Sequence, residues 1–287
     1  MCDVAYIIPI KINDGDKEGN IYRLNNLELI LINCLKQSIK FNIYITETNV
    51  EKSSIIINLI NKYKSTLNLN YNLIINKTQE FDRAHTFNCT IKHFIGNEEI
   101  LIMGDCDIPL YKNIFQTIKK IKDKKYYFIS PYNFIEKLSM KQTNFIYKNN
   151  VCLNEIASNF QKTPDKNPYS FSGGILVVNR LIFENMGLWF EINGYGGEDR
   201  ILDVILEYTF KEKTLREISN YIHLWHPKSP SIKNISRRLN FVNKFFGCKW
   251  TPNSKTIHEH CNHKGTDVWE KLYKMQKKGD LNKYNKN

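Results

Sequence analysis

Residues 100–109 read Ile100-Leu101-Ile102-Met103-Gly104-Asp105-Cys106-Asp107-Ile108-Pro109. Four apolar residues predict a buried strand, the glycine predicts its end, and two carboxylates follow directly after it. Ligands of open α/β sheets bind at the carboxyl ends of the strands. Two acids this close repel each other unless a cation lies between them, and Mg²⁺ and Mn²⁺ accept carboxylate oxygens as ligands. The pair therefore indicates either a metal site that could hold a diphosphate or an ordinary acidic turn.

The segments that precede this stretch alternate between two hydrophobic periods. Compact apolar runs predict strands over 4–9, 41–45 and 71–75, while helical spacing predicts helices over 24–35 and 55–63. Strands that alternate with helices at this spacing are typical of βαβ units. The sequence therefore predicts an α/β fold with a mostly parallel central sheet flanked by helices, whose first half binds a nucleotide.

The second half of the chain is less regular. Its predicted elements are a helix opening at Phe81, helices over 114–121, 181–186 and 198–210, and strands over 126–129, 175–178 and 221–225. Between Pro131 and Tyr169 no period is clear, which predicts a functional loop or lid. We expect one catalytic domain over 1–230, made of a nucleotide-binding half (1–110) and an acceptor half (111–230). A C-terminal extension (231–270) should pack on this domain, and a basic tail (271–287) should be disordered.

Composition restricts the partners and the compartment. The chain has 287 residues, 42% of them hydrophobic, and a formal charge of +12, which favours anionic partners such as nucleotides, nucleic acid or acidic membranes. No basic stretch is interleaved with aromatic residues, so a nucleic-acid groove is not expected. Seven scattered cysteines indicate reduced thiols. Without a signal region or an apolar run long enough to span a bilayer, we expect a soluble protein of the cytoplasm, or of a virion and its host cytoplasm, with peripheral contact to acidic membranes left open.

A second acidic motif is Gly196-Gly197-Glu198-Asp199. Acids in the first turn of a helix are favoured by the helix dipole, so one interpretation is a helix cap. The other is catalytic, because glycines let a substrate approach while an ionised carboxylate accepts a hydroxyl proton.

Histidines supply a third pattern. His223-Leu224-Trp225-His226 ends a strand, and the chain would have to bend for both rings to reach one ion. A hydrogen-bonding role for these rings stays open. The run His258–His263, with Cys248 upstream, is a weaker zinc candidate because its spacing matches no familiar finger.

Five motifs appear together in an order that resembles metal-dependent glycosyltransferases of the GT-A fold. They are Phe81-Asp82-Arg83-Ala84, Asp105-Cys106-Asp107, Phe171-Ser172-Gly173-Gly174, Gly194-Tyr195-Gly196-Gly197-Glu198-Asp199 and the pair His223/His226. The chain is most similar to the β-1,4-galactosyltransferase and chondroitin-synthase type, over roughly residues 3 to 230.

The resemblance implies a role for each of these positions. A UDP-sugar and Mn²⁺ or Mg²⁺ would be the cofactors, and a glycan or glycosylated molecule the acceptor. The implied metal ligands are Asp107, His226, His223 and Asp105. The implied donor-binding residues are Pro9, Lys11, Phe81, Arg83, Asp105, Gly173, Gly174 and Tyr195. Glu198 would hold the sugars and Asp199 would be the base of an inverting transfer.

Several residues depart from the family pattern, so other functions than an inverting transferase stay open. Asp82 stands where the family has Asn, His223 where it has Met, and Tyr195 where it has Trp, while Pro9-Ile10-Lys11 replaces Pro-Phe-Arg. A retaining transferase of the same fold, a non-catalytic nucleotide- or glycan-binding module and a nucleic-acid-binding protein all stay open.

Overall fold

The computed structural model describes residues 3–12, 16–37, 40–76, 81–111, 113–149, 151, 153, 170–191 and 197–227. Several predictions therefore lie outside the described residues. They concern Tyr195, the C-terminal extension with its His258–His263 run, the basic tail, and most of the second half of the predicted 131–169 loop. The division of the catalytic domain at residue 110 stays a prediction.

The described strands and helices alternate along the chain. The strands are β1 (Val4–Ile10), β2 (Asn42–Asn49), β3 (Asn68–Ile75), β4 (Ile100–Gly104), β5 (Phe128–Ser130), β6 (Phe134–Lys137), β7 (Ile175–Asn179), β8 (Thr214–Arg216) and β9 (Asn220–His223). The helices are α1 (Lys17–Leu35), α2 (Ser54–Tyr63), α3 (Arg83–His93), α4 (Ile114–Lys122), α5 (Met140–Asn149), α6 (Arg180–Asn185) and α7 (Glu198–Thr209). A short 3₁₀ helix, Lys211–Lys213, precedes β8. None of the described helices combines the length and the apolar character that crossing a bilayer requires.

A central sheet and a two-stranded sheet organise these elements. The central sheet has seven strands in the order β3-β2-β1-β4-β7-β5-β8, and β6 pairs with β9 apart from it. Strands β1 to β4 run parallel to one another, and β5 runs parallel to β8. Strand β7 is antiparallel to both β4 and β5. The predicted α/β fold with a mostly parallel sheet is confirmed.

Both faces of the sheet are covered, which explains its continuous apolar strands. Every residue of β1 is buried. Because successive side chains of a strand point to opposite faces, Tyr6 and Ile8 join one hydrophobic core while Ala5 and Ile7 join the other. A slip of one residue would exchange the two sets, so burial fixes the register.

The reversed direction of β7 determines what surrounds the acidic pair. Gly104, the last residue of β4, lies opposite Ile175, the first residue of β7. The segment that leads into β7, Gly173 and Gly174, therefore lies beside Asp105. A parallel β7 would have placed these glycines at the far edge of the sheet.

Two sequence predictions are wrong in detail. Part of the segment predicted to be irregular forms β6 and α5. Strand β6 pairs with β9, which lies more than eighty residues later, so a local pattern could not show it. The late strand predicted over 221–225 ends at His223 and joins β6 rather than the central sheet. Strand β8 was missed because it has only three half-buried residues.

Candidate active site

Asp107, His223 and His226 come together beyond the carboxyl end of β4, and we call them the histidine cluster. One ligand-type atom of each lies within 4.8 Å of the others. The Nε2 atoms of His226 and His223 are 3.0 and 3.8 Å from Asp107 Oδ2. Asp107 Oδ1 is buried and has no hydrogen-bond partner. A carboxylate with an unused oxygen beside two imidazoles is a donor set that fits a divalent cation.

Backbone contacts hold the histidine cluster in shape. The Leu224 N–H donates to the Asp107 carbonyl at 2.8 Å, so the chain between the two histidines is attached to the acidic turn. His226 Nδ1 lies 2.8 Å from the Pro227 carbonyl. Nδ1 of His226 therefore carries a proton and donates it to this carbonyl, so Nε2 is the nitrogen that can contact Asp107 or bind a metal ion.

Opposing effects set the charges in this cluster. Burial works to raise the pKa of Asp107, but His223 and His226 outweigh it and hold the pKa below its ordinary value. Burial likewise works to lower the pKa of His226, but the hydrogen bond to Asp107, the charge of Asp107 and the Pro227 carbonyl together outweigh it, so that pKa is raised. Asp107 is therefore ionised at neutral pH.

Arg83 connects the acidic turn to α7. Its Nε donates to Asp105 Oδ1 at 2.6 Å, and its Nη1 lies 3.8 Å from Glu198 Oε1. The guanidinium is 4.8 Å from the Phe87 ring and 5.0 Å from the Trp189 ring, within cation–π range. Arg83 is only 3% exposed, and its Nη2 has no hydrogen-bond partner. Its main contacts are thus within the protein, and its contact with a nucleotide stays a prediction.

The N-terminal cap of α3 explains why Arg83 lies next to the acidic turn. The Asp82 side chain accepts a hydrogen bond from the His85 N–H at 2.9 Å, so α3 begins at the next residue, Arg83. The first side chain of that helix then faces the turn after β4.

Asp199 lies in the first turn of α7, as predicted, and its carboxylate is oriented by two donors. The Ser170 hydroxyl donates to Oδ2 and the Arg200 N–H donates to Oδ1. A Cβ at Gly173 would collide with Ser170 Oγ and lie 3.3 Å from Asp199 Oδ2, so a side chain at residue 173 would displace the hydroxyl that orients this carboxylate.

The glycine pair is also bound to the acidic turn. The Asp105 N–H donates to the Gly174 carbonyl at 3.0 Å. Gly174 has a φ of 77°, a left-handed conformation that disfavours other residues. A Cβ there would also lie 2.8 Å from the Tyr132 hydroxyl oxygen. Both glycines are therefore needed where the predicted sugar pocket meets the turn that carries Asp105 and Asp107.

Asp203, which the sequence analysis did not single out, fixes the loop before these glycines. Its carboxylate accepts the Phe171 and Ser172 N–H groups, both at 2.9 Å, and the Ser172 hydroxyl at 2.6 Å. The Ser172 hydroxyl also lies 2.7 Å from the Asp199 carbonyl. The available signal was its position four residues after Asp199, on the same helix face.

Burial and the charge of Asp199 raise the pKa values of Glu198 and Asp203 on α7. Burial, and then the charge of Asp199, raise the pKa of Glu198 to about 8, although Arg83 opposes this. The same two causes raise the pKa of Asp203 to about 6. Glu198 is therefore largely protonated at neutral pH, and it can donate as well as accept a hydrogen bond.

The remaining predicted site residues are spread along the same edge. Pro9 is buried in β1 opposite Thr46, and Lys11 is half-buried just beyond that strand. Phe81 is half-buried before α3. Asp105 bonds Arg83 and is not a member of the histidine cluster. The roles of these residues stay predictions.

Comparison with known proteins gives a mixed result. No protein-family model and no curated protein matches the sequence. Among solved structures, the mannosyltransferase PcManGT from Pyrobaculum calidifontis, in complex with GDP-Man and Mn²⁺, is similar with a TM-score of 0.51 and 16% identity, over 85% of this chain and 63% of that chain. S. aureus TarS 1-349 in complex with UDP-GlcNAc is similar with a TM-score of 0.51 and 11% identity, over 88% of this chain and 68% of that chain.

The chain has the GT-A fold. At these identities the likeness establishes the GT-A fold alone, and the chain spans 63% of the length of the mannosyltransferase. The GT-A fold nevertheless explains the position of the site, because an open α/β sheet offers its ligand crevice at the carboxyl ends of its strands.

Proposed function

We propose that this protein is a divalent-metal-dependent glycosyltransferase that moves a hexose or N-acetylhexosamine from a UDP-sugar to an acceptor hydroxyl with inversion. One observation carries the proposal: the histidine cluster, the Arg83 bridge and the acids of α7 converge at one sheet edge of a GT-A fold. The ligands of the two similar structures, GDP-Man with Mn²⁺ and UDP-GlcNAc, belong to the same chemical class. Within GT-A enzymes, the motif order favours the β-1,4-galactosyltransferase and chondroitin-synthase type.

The histidine cluster is the proposed metal site. Asp107, His223 and His226 would hold Mn²⁺ or Mg²⁺, which would neutralise negative charge on the leaving diphosphate. Two imidazoles in place of one imidazole and a thioether make the donor set harder, which widens tolerance for Mg²⁺. The unpartnered oxygen of Asp107 supports this assignment, because a buried acceptor without a partner is costly unless a ligand uses it.

Asp199 is the proposed base. Its carboxylate takes the proton of the acceptor hydroxyl, whose oxygen attacks the anomeric carbon from the face opposite the diphosphate. The Ser170 hydroxyl and the Arg200 N–H keep the carboxylate in position. The acid, rather than an amide, at residue 199 favours inversion over the retaining alternative.

Glu198 and the glycines are proposed to bind the sugar. A protonated Glu198 carboxyl offers one donor and one acceptor to sugar hydroxyls, and the backbone of Gly173 and Gly174 would line the sugar pocket. Arg83 would position both Asp105 and Glu198, since it contacts the two of them.

The test is a panel of UDP-sugars, with GDP-mannose added, in the presence of Mn²⁺ and candidate saccharide acceptors. We expect one UDP-sugar to release UDP at a rate that an acceptor increases and that a chelator abolishes. The anomeric configuration of the product, read by NMR, distinguishes inversion from retention. Binding of UDP and Mn²⁺ without release from any donor would instead identify a non-catalytic binding module. If neither ligand raises the melting temperature, the proposal is wrong.

A further inference from the structure

A second cluster of reactive side chains lies on α3 and beyond the end of α6, and we call it the thiol relay. It consists of Cys89, His85 and Glu191. Cys89 Sγ lies 3.4 Å from His85 Nε2, and His85 Nδ1 lies 3.0 Å from Glu191 Oε2. His85 and Cys89 are four residues apart on α3, so their side chains share one helix face. All three residues are half-buried, so a small molecule can reach them.

Glu191 is held firmly in this arrangement. The Asn88 side chain donates to Glu191 Oε1 at 2.7 Å and to the Trp189 carbonyl at 2.8 Å. The Trp189 N–H in turn donates to Asn88 Oδ1 at 3.0 Å. The contact between His85 and Glu191 is therefore part of a built network.

The charges of the relay favour a protonated imidazole. The hydrogen bonds of His85 to Cys89 and then to Glu191 outweigh burial and raise the pKa of His85 to about 10. Burial works to raise the pKa of Glu191, but His85 and Asn88 outweigh it and the positive charge of Lys92 adds to their effect, so the pKa is lowered. Glu191 thus stabilises the imidazolium that forms when His85 takes a proton from sulfur.

We propose that Cys89 is an activated thiol that forms mixed disulfides with the disulfides of small thiols. Because Nδ1 donates to Glu191, the one proton that Cys89 and His85 share can rest on Nε2, so that a thiolate faces the imidazolium. The thiolate sulfur attacks one sulfur of the small disulfide, whose S–S bond breaks as a bond to Cys89 forms. The other half leaves as a thiolate and takes the proton from His85. Cys89 is oxidised and the small disulfide is reduced, so the exchange balances.

The other described cysteines lack such a partner for proton transfer. Burial raises the pKa of Cys34 to about 12. Burial, and then the charges of Asp107 and Asp105, raise the pKa of Cys106. Both thiols are therefore inert at neutral pH, and modification should select Cys89 among the described cysteines. This proposal does not depend on the transferase reaction.

An aromatic disulfide reagent, dithiobis(nitrobenzoate), tests the relay on the full chain. At neutral pH we expect a fast phase of thiolate release that Cys89→Ser removes, and peptide mass mapping should find Cys89 labelled early while Cys34 and Cys106 stay unlabelled. His85→Gln should slow the labelling of Cys89 about 10-fold, because a free thiol is only a few per cent ionised there. His93→Gln is the matched control, since this exposed histidine lies on the same helix two turns from His85, and it should leave the rate unchanged.

A second variant keeps the proposal testable if His85→Gln does not fold. Glu191→Gln keeps the side-chain volume and a hydrogen-bond acceptor but removes the charge, so we expect Cys89 to react about threefold more slowly with an unchanged melting curve. Labelling of Cys89 that is no faster than that of Cys34 or Cys106 overturns the proposal. So does wild-type reactivity of Cys89 in folded His85→Gln or Glu191→Gln protein.

Discussion

Asp107 of the histidine cluster and the pair Glu198 and Asp203 on α7 lie at the same edge of one sheet, and their pKa values shift in opposite directions. The pKa of Asp107 lies below its ordinary value, whereas those of Glu198 and Asp203 rise to about 8 and 6. Burial acts on all three in the same sense, towards the neutral acid. The difference lies in their neighbours: two imidazoles adjoin Asp107, whereas the carboxylate of Asp199 adjoins the other two.

This difference suggests a division of roles. A carboxylate that stays ionised can hold a cation, and a protonated one can donate hydrogen bonds to sugar hydroxyls. Asp199 is oriented by two hydrogen-bond donors, the Ser170 hydroxyl and the Arg200 N–H. Removing the charge of Asp107 should therefore weaken metal binding, whereas removing the charge of an acid on α7 should change sugar transfer or stability.

The largest effect is expected at Asp199. Asp199→Asn removes the proton acceptor but keeps the shape of the side chain, so sugar transfer should slow on the order of 1,000-fold. UDP and Mn²⁺ binding, measured by calorimetry, should be unchanged. Asp123→Asn, at the exposed end of α4, is the matched control with a wild-type rate. A full rate in Asp199→Asn would mean that the base is elsewhere.

Asp107→Asn should act on metal binding. Loss of the anionic ligand should weaken Mn²⁺ affinity about 100-fold, because hard cations depend on carboxylate charge. In the wild type, affinity should fall as the pH is lowered, since protons compete for His226, whose pKa is raised. Titration calorimetry at several pH values measures both effects. Equal Mn²⁺ affinity in Asp107→Asn and Asp123→Asn would contradict the assignment.

Asp203→Asn should reduce the stability of the protein and should also loosen the loop at Phe171 and Ser172 that Asp203 holds. An amide cannot accept all three hydrogen bonds that this carboxylate receives from Phe171 and Ser172, so we expect a loss of about 2 kcal/mol in the free energy of unfolding. Urea unfolding measures the loss. If Asp203 positions the loop, kcat should also fall while the affinity for UDP and Mn²⁺ is kept, and unchanged kcat would restrict the residue to a structural role.

The smallest effect is expected for Glu198→Gln, and it should stabilise the protein. The pKa of Glu198 is about 8 when folded against an ordinary value of 4.5, so the wild type loses stability as the pH rises through this interval. Glutamine does not titrate, so the gain in stability should grow as the pH rises from 4.5 towards 8 and vanish near pH 4. Thermal unfolding across pH provides the measurement. A gain that does not depend on pH would show that Glu198 is already ionised.

The acidic turn and the first acids of α7 could be located from sequence because they are local. Asp105 and Asp107 follow an apolar run and a glycine, and Glu198 begins a helix behind glycines, so short-range patterns were sufficient. Asp203 and Ser170 were missed because their partners lie about thirty residues away. Strands β6 and β9 depend on each other across a still longer separation.

By itself, the sequence determined the succession of strands and helices and the residue types at the sheet edge, since hydrophobic period and helix-capping chemistry act over a few residues. Only the tertiary structure decided that β7 runs antiparallel and brings Gly173 and Gly174 to Asp105. It also decided that Arg83 is buried between two acids and that neighbouring carboxylates titrate in opposite directions. These properties depend on distances between side chains that are remote in the chain, because burial and Coulomb interactions act through space.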